Sequence, residues 1–231
     1  MSNVIERASR AALDLLFPPQ CALCGRGGAL LCGACAAVLP AASGRRCERC
    51  AMPVHSGPVC RHCLEAPPAF ASIRSAFVME EGARRLVHEL KYEGLTSLAE
   101  PMAALVVARC GVPCADVVVP VPLHSSRGRS RGYNQSAALA RRIAAAAGLP
   151  CDARAVRRIR DTAPLAHTMH RDERRAIVAG AFAGDPRRVA GRRILLVDDV
   201  VTTGATLDAC AAGLLAAGAR EVRCLTFART D

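Results

Sequence analysis

Ile194-Leu-Leu-Val-Asp198-Asp199-Val-Val-Thr202-Thr203-Gly204-Ala205-Thr206 sets four apolar residues ahead of two carboxylates and a run of small polar residues behind them. The apolar run is rich in branched side chains and follows Arg192 and Arg193, so it predicts a buried strand whose carboxylates emerge at its C-terminal end. Thr202 to Thr206 then opens a helix. Backbone N–H groups and hydroxyls gathered at a helix N-terminus favour a phosphate, and Gly204 lets the backbone approach it closely. Asp198 and Asp199 are acceptor-only groups suited to the vicinal hydroxyls of a ribose. The plainer alternative is a strand running into an ordinary capped helix with both aspartates solvated, although carboxylates at a strand end need a compensating partner.

These thirteen consecutive residues resemble the phosphoribosyl-diphosphate (PRPP) motif of type I phosphoribosyltransferases. The resemblance implies an open, mainly parallel α/β sheet. It assigns the ribose hydroxyls to Asp198 and Asp199 and the 5′-phosphate to Thr202, Thr203, Gly204, Ala205 and Thr206. Mg²⁺ would be carried by the diphosphate, with few protein ligands of its own. Upstream and downstream of the motif, strand and helix patterns alternate from residue 70 to the end, as an open sheet with ligands at strand C-termini requires.

The chain has 231 residues, enough for one ordinary domain and a small module. Hydrophobic residues make up 52% and aromatic residues 3%, so the core is built from Ala, Val and Leu. The formal charge of +11 suits polyanionic partners, and Lys91 is the only lysine in a chain that otherwise uses arginine. A lone lysine marks either a place that needs a compact point charge, such as a pyrophosphate contact, or chance.

Thirteen cysteines raise the question of redox compartment. Glu6, Arg7, Arg10 and Asp14 interrupt any apolar core of a secretory signal, and no stretch has the length of a membrane span. A cytoplasmic chain without stable membrane insertion is expected, and in that compartment paired cysteines bind metal rather than form disulfides. Four Cys-x-x-Cys pairs follow one another: Cys21 and Cys24, Cys32 and Cys35, Cys47 and Cys50, Cys60 and Cys63. Two residues between ligands let a tight turn aim both sulfurs at one ion, and four thiolates close a tetrahedral Zn²⁺ site. Eight ligands make two structural sites, and the pattern resembles a double zinc ribbon. Sequential pairing closes the shorter loops, while an interleaved pairing stays open. His62 is either a surface residue or a substitute ligand.

Domain boundaries follow from composition. Residues 1–17 form a short amphipathic helix that Pro18 and Pro19 end, residues 18–66 the zinc ribbons, and residues 70–231 the phosphoribosyltransferase-like domain, with Ala66-Pro67-Pro68 as linker. Arg45, Arg46 and Arg49 between the ribbon halves are either a cationic edge for nucleic acid or a solvated loop. The apolar run from Asp116 to Leu123 is a further buried strand. It leads through His124 into Arg127, Arg129 and Arg131, alternating with Ser and Gly before a helix, as a diphosphate or a nucleic-acid backbone would want.

The order Val119-Pro-Val-Pro-Leu-His124, then Arg127, Arg131, Gly132, Asn134 and Gln135, is similar to the ComF family of competence proteins, of which GntX is a relative. Leu90-Lys91-Tyr92 and the cysteine pairs agree with that family. The resemblance implies handling of incoming single-stranded DNA in natural transformation, or use of DNA as a nutrient. It also implies a competence helicase or recombination mediator as partner. Lys91, Pro122, Arg127 and Arg131 become candidates for the diphosphate side, and Arg45, Arg46, Arg49, Arg127, Arg129 and Arg131 for nucleic acid. Two departures bear on catalysis: Leu165 stands where the family has Gln, and Ile177 where it has Asn. Both remove hydrogen-bonding groups from a loop that closes over substrate in phosphoribosyltransferases. No catalytic residue is assigned. Three functions therefore remain: a DNA-uptake protein with a working PRPP site, a non-catalytic binding module on the same fold, and a nucleobase-salvage phosphoribosyltransferase.

Overall fold

The computed structural model describes residues 18–92, 94–123, 132–160 and 176–231. The expected helix over residues 1–17, the arginines Arg127, Arg129 and Arg131, and Leu165 lie outside the described residues.

Strands β1 (Ser72–Val78), β2 (Val117–Pro120), β5 (Arg193–Val201) and β6 (Glu221–Arg229) form one sheet in the order β1-β6-β5-β2. All three pairings are parallel, with Leu196 opposite both Val119 and Cys224. Two short strands, β3 (Val156–Arg158) and β4 (Phe182–Gly184), pair antiparallel beside it. Helices α1 (Gly33–Ala37) and α2 (Arg61–Glu65) belong to the cysteine-rich segment. The sheet is covered by α3 (Glu81–Tyr92), α4 (Ala99–Cys110) and α5 (Gln135–Ala147), and by α7 (Ala205–Ala216), while α6 (Pro186–Val189) precedes β5.

A parallel sheet is buried on both faces, and the alternation of β5 shows it. Leu195 and Val197 pack among Leu86, Leu90, Met102 and Leu139 of α3, α4 and α5. Ile194 and Leu196 pack on the other side with Leu207, Cys210 and Leu214 of α7. Gly213 is the close-approach position of α7, since a Cβ there would lie 2.6 Å from the Phe182 carbonyl oxygen. At the outer end of β2 and β5, Arg193 donates Nη2–H to Asp116 Oδ1 at 2.6 Å, and its own amide donates to Asp116 Oδ2 at 2.8 Å. Among the described residues no helix is long and apolar enough to cross a membrane.

The cysteine-rich segment does not hang free. Val78 donates its amide to Pro40 O at 2.8 Å and Ala42 donates to Ala76 O at 3.1 Å, so residues 40–42 extend the β1 edge of the sheet. Covering an edge in this way removes a row of unpaired backbone groups.

Candidate functional site

The sequence sets the aspartates at the C-terminal end of the strand, and the structure carries the strand two residues further. Strand β5 continues to Val201, with Asp198 opposite Thr226 and Val201 opposite Arg229. The apolar run resumes after the carboxylates, so β6 keeps pairing through them. Consecutive residues of an extended strand leave it in different directions, and the two carboxylates accordingly have different surroundings.

Asp199 is 3% exposed. Its Oδ2 lies 2.5 Å from Lys91 Nζ, at the last turn of α3, and its Oδ1 accepts from Gln135 Nε2 at 3.3 Å. The only lysine of the chain is thus brought to the strand end by a buried carboxylate. Asp198 is half-buried and accepts from Ser136 Oγ at 2.6 Å and from the Asp199 amide at 3.0 Å. Desolvation, and then the neighbouring Asp199 charge, push the Asp198 carboxyl up to about 8.

Both partners from α5 are placed by one cap. Asn134 precedes the helix and accepts the amides of Ser136 at 2.9 Å and Ala137 at 3.3 Å, while its Nδ2 donates to Val121 O at 3.0 Å. An Asn at this position satisfies orphan helix donors and fixes the direction of the first turn. Gln135 and Ser136 follow directly and reach Asp199 and Asp198. Asn134 and Gln135, noted in the sequence only through the family resemblance, therefore act as the mount of the acidic pair.

Beyond β5 the chain turns through Thr202 and Thr203 into α7. Gly204 holds φ +83°, and its carbonyl accepts the Asp208 amide at 2.8 Å as the first helical bond. A side chain at Gly204 would be strained and would also meet Ile73 at 3.7 Å and Phe70 at 3.8 Å. Asp198, Val200, Val201 and residues 202–207 line a cavity of about 30 Å³. This is a shallow cradle with room for about two water-sized groups, open to the positive end of α7. Its donors and acceptors suit a phosphate oxygen beside a ribose hydroxyl. Pro122 is half-buried just after β2, on the strand next to β5.

The eight cysteines gather as the sequential pairing predicts. Cys21, Cys24, Cys32 and Cys35 form one group and Cys47, Cys50, Cys60 and Cys63 another, with the sulfurs of each group within 4.8 Å of one another. The interleaved pairing is ruled out, and both groups consist of thiols without His62. Cys24 Sγ and Cys32 Sγ are 3.8 Å apart, and Cys50 Sγ and Cys60 Sγ 3.6 Å. These match the edge of about 3.8 Å expected for a tetrahedron with Zn–S of about 2.3 Å. Burial acts to raise the Cys21 thiol, but the amides of Cys32, Cys24 and Leu23 outweigh it and bring the group down to about 6. Cys47 falls to about 7 for the same reason, through Cys50, Cys60 and Arg49. One thiol of each tetrad is thus biased towards thiolate, the form that binds metal, whereas the contact with Cys32 pushes Cys35 up to about 12 and burial raises Cys50 and Cys63. The knuckle turn needs a left-handed residue after the second cysteine. Gly25 supplies it at φ +72°, whereas the second knuckle uses Ala51 at φ +58°.

The three ribbon arginines have separate fates. Arg45 and Arg49 are exposed. Arg46 is committed within the protein: Nη1 donates to Asp231 Oδ1 at 2.7 Å and Nη2 to Asp231 Oδ2 at 2.9 Å. Sequence reasoning did not single out Arg229. It is fully buried at the end of β6 and donates to Cys50 O at 2.9 Å, to Asp231 Oδ1 at 2.6 Å and to Met52 Sδ. A charged residue ending an otherwise apolar strand, Leu-Thr-Phe-Ala-Arg, is the signal that would have found it. Ile177 is half-buried, in the stretch of chain that leads into β4.

Two family models match the chain. The double zinc ribbon domain model matches residues 12–64, and the phosphoribosyl transferase domain model matches residues 129–230. The chain is 33% identical over 229 residues to the DNA utilization protein YhgH of Salmonella typhi, covering 94% of this chain and 99% of that one. It is 31% identical over 192 residues to the protein of the same name in Escherichia coli strain K12, covering 80% and 84%. Competence protein F of Haemophilus influenzae is 24% identical over 220 residues, covering 86% and 96%. Among solved structures, glutamine phosphoribosylpyrophosphate amidotransferase from B. subtilis, complexed with ADP and GMP, aligns at 24% identity with a TM-score of 0.40. That alignment covers 56% of this chain and 26% of that one.

Proposed function

We propose, because this chain belongs to the ComF family of DNA-utilization and competence proteins, that it binds PRPP or a related ribose 5-phosphate group and serves the uptake or use of DNA in the cytoplasm. The observation that carries the ligand reading is the cradle of Asp198 and residues 202–207 at the N-terminus of α7. Asp198 accepts a ribose hydroxyl there. The amides and hydroxyls of Thr202, Thr203, Gly204, Ala205 and Thr206 hold the 5′-phosphate, where the helix dipole favours an anion. Asp199 works through Lys91, whose ammonium it places at the same strand end for the diphosphate, with Pro122 and the arginines 127 and 131 as further candidates on that side.

Asp198 suits a ligand that arrives with a cation. Its carboxyl is held above the usual range by burial and by Asp199, so Mg²⁺ carried by the diphosphate would restore the charged form. When bound, the metal supplies charge neutralisation on the diphosphate. The eight cysteines hold two structural Zn²⁺ ions, which fold a segment too small for a core of its own.

Titration of PRPP with Mg²⁺ by calorimetry tests the site. Saturable binding is expected, reduced roughly tenfold to a hundredfold in Asp198→Asn, the scale of losing a charge-assisted hydrogen bond. Absence of binding by the wild type would sink the reading.

A second reading keeps the family role but not catalysis, and Ile177, an apolar residue where the family has Asn, favours it. In that case the protein delivers single-stranded DNA to a helicase or recombination mediator and uses the cradle only to bind. A panel of nucleobases with PRPP separates the two: turnover of any base would promote a transfer reaction, and binding without turnover supports a carrier.

A further inference from the structure

The two cysteine tetrads are built into the protein differently. In the first, only Cys21 is buried, Cys24 is exposed and Cys32 and Cys35 are half-buried, and Ala22, Leu23, Leu30 and Leu31 pack at the margin of the α3 side of the sheet. In the second, Cys47 and Cys63 are 2% exposed and Cys50 5%, and only Cys60 is half-buried. The three buried sulfurs share one apolar cluster with Phe70, Ile73 and Leu207, the residues under the start of α7.

Hydrogen bonds tie the same joint. Ile73 donates its amide to Arg49 O at 2.7 Å, inside the second knuckle. Ala69 donates to Asp208 Oδ1 at 2.6 Å, in the first turn of α7. Arg229 donates to Cys50 O at 2.9 Å from the end of β6. Cys50, His62 and Cys63 face Thr203, Gly204 and Ala205 across a cavity of about 10 Å³. That space holds at most one water, so the knuckle and the loop form a packed contact rather than a ligand pocket.

We propose that the second tetrad, closed by its metal, is the wall that holds the anion loop in shape, and that the first tetrad has no such role. Gly204 keeps a left-handed backbone against Phe70 and Ile73, and these are held in turn by residues 47–63. A segment that folds only with its metal transmits metal loss to whatever packs on it. Order in residues 202–207 therefore depends on the second site. The consequence for phosphate affinity rests on the ligand reading above.

The full chain tests this with Cys24→Ser in the first tetrad and Cys60→Ser in the second, each checked for loss of one zinc by elemental analysis. Hydrogen exchange is the readout. In Cys60→Ser the amides of Asp208, Ala209 and Cys210, the first bonded ones of α7, should lose roughly tenfold or more in protection while β5 and β6 keep theirs; in Cys24→Ser they should not change. Equal effects in both variants, no effect in Cys60→Ser, or collapse of the whole sheet in that variant would overturn the proposal. Asp208→Ala provides a second test with both sites intact, because it cuts the tie from the loop side. With cadmium in place of zinc, its NMR spectrum should show the second-site resonance shifted and the first unmoved. An unshifted second site would count against the coupling. Ribose 5-phosphate affinity should fall about tenfold in Cys60→Ser and stay constant in Cys24→Ser. Failure of the wild type to bind ribose 5-phosphate would count against the ligand reading alone, since exchange and cadmium spectra decide the coupling without ligand.

Discussion

Asp198 and Asp199 are neighbours in sequence, yet one lines the loop cradle and the other closes a buried contact with Lys91. Substitution should separate them. The Asp198 carboxyl is raised above the usual range, first by desolvation and then by Asp199, so its charged form is disfavoured in the folded state. Such a group contributes most below its unfolded pKa, about 4, and that contribution is lost as pH rises towards about 8. Ligand-free Asp198→Asn is therefore expected to melt a few degrees higher than wild type at pH 8, at about 2–4 °C per kcal/mol, with little gain at pH 4. Thermal melts at the two values check it, and an equal gain at both would contradict the assignment. Ala51 offers a second test. Its left-handed backbone, occupied by glycine in the first knuckle, costs about 1–2 kcal/mol in a non-glycine residue. Ala51→Gly should stabilise the second ribbon by about 0.5–1 kcal/mol, read as slower zinc transfer to a chelator.

At the scale of elements, the N-terminus of α5 does more than begin a helix. Asn134 caps it and also holds the chain to Val121 O at 3.0 Å, so Gln135 and Ser136 meet β5 at the aspartates. Replacing a cap of this kind by Ala costs about 1 kcal/mol. Asn134→Ala should accordingly lower stability by about that amount and weaken PRPP binding as well, although Asn134 lies behind the acidic pair. Stability from denaturant melts and affinity from calorimetry give the two numbers, and a loss of stability with unchanged affinity would show that the cap does not position the site. The alternation of strands and helices from residue 70 onwards was legible in the sequence, because apolar runs and helical patterns follow one another there. The apolar run from Asp116 to Leu123 yields only the four residues of β2, since Pro120 and Pro122 cannot donate to a ladder.

For the molecule as a whole, charge and metal set the expectations. Arg45 and Arg49 are exposed while Arg46 joins the C-terminal end of β6 through Asp231. If single-stranded DNA follows the ribbon edge, Arg45→Ala and Arg49→Ala should each reduce the salt slope of binding by about 0.7. Arg46→Ala should instead leave the slope unchanged and lower stability. Fluorescence titrations across salt concentrations distinguish these outcomes, and a slope reduced equally by all three would place Arg46 at the nucleic acid.

Local chemistry was readable from the chain alone. Four Cys-x-x-Cys pairs in succession specify metal knuckles, because two residues are what a turn needs to converge two sulfurs on one ion and four thiolates close the site. The Val-Asp-Asp-Val-Val-Thr-Thr-Gly-Ala-Thr run likewise specifies a strand turning into a helix N-terminus. Which partner each of these groups meets depended on packing over long separations. Asp199 meets Lys91 across 108 positions only because β5 and the end of α3 converge. Cys50 and Cys63 reach Gly204 only because the linker folds the second ribbon under α7. Sequence patterns report backbone geometry and burial, which are local. The placing of a buried charge beside its partner is decided by the whole sheet, since a carboxylate removed from water must find its compensation wherever the fold brings it.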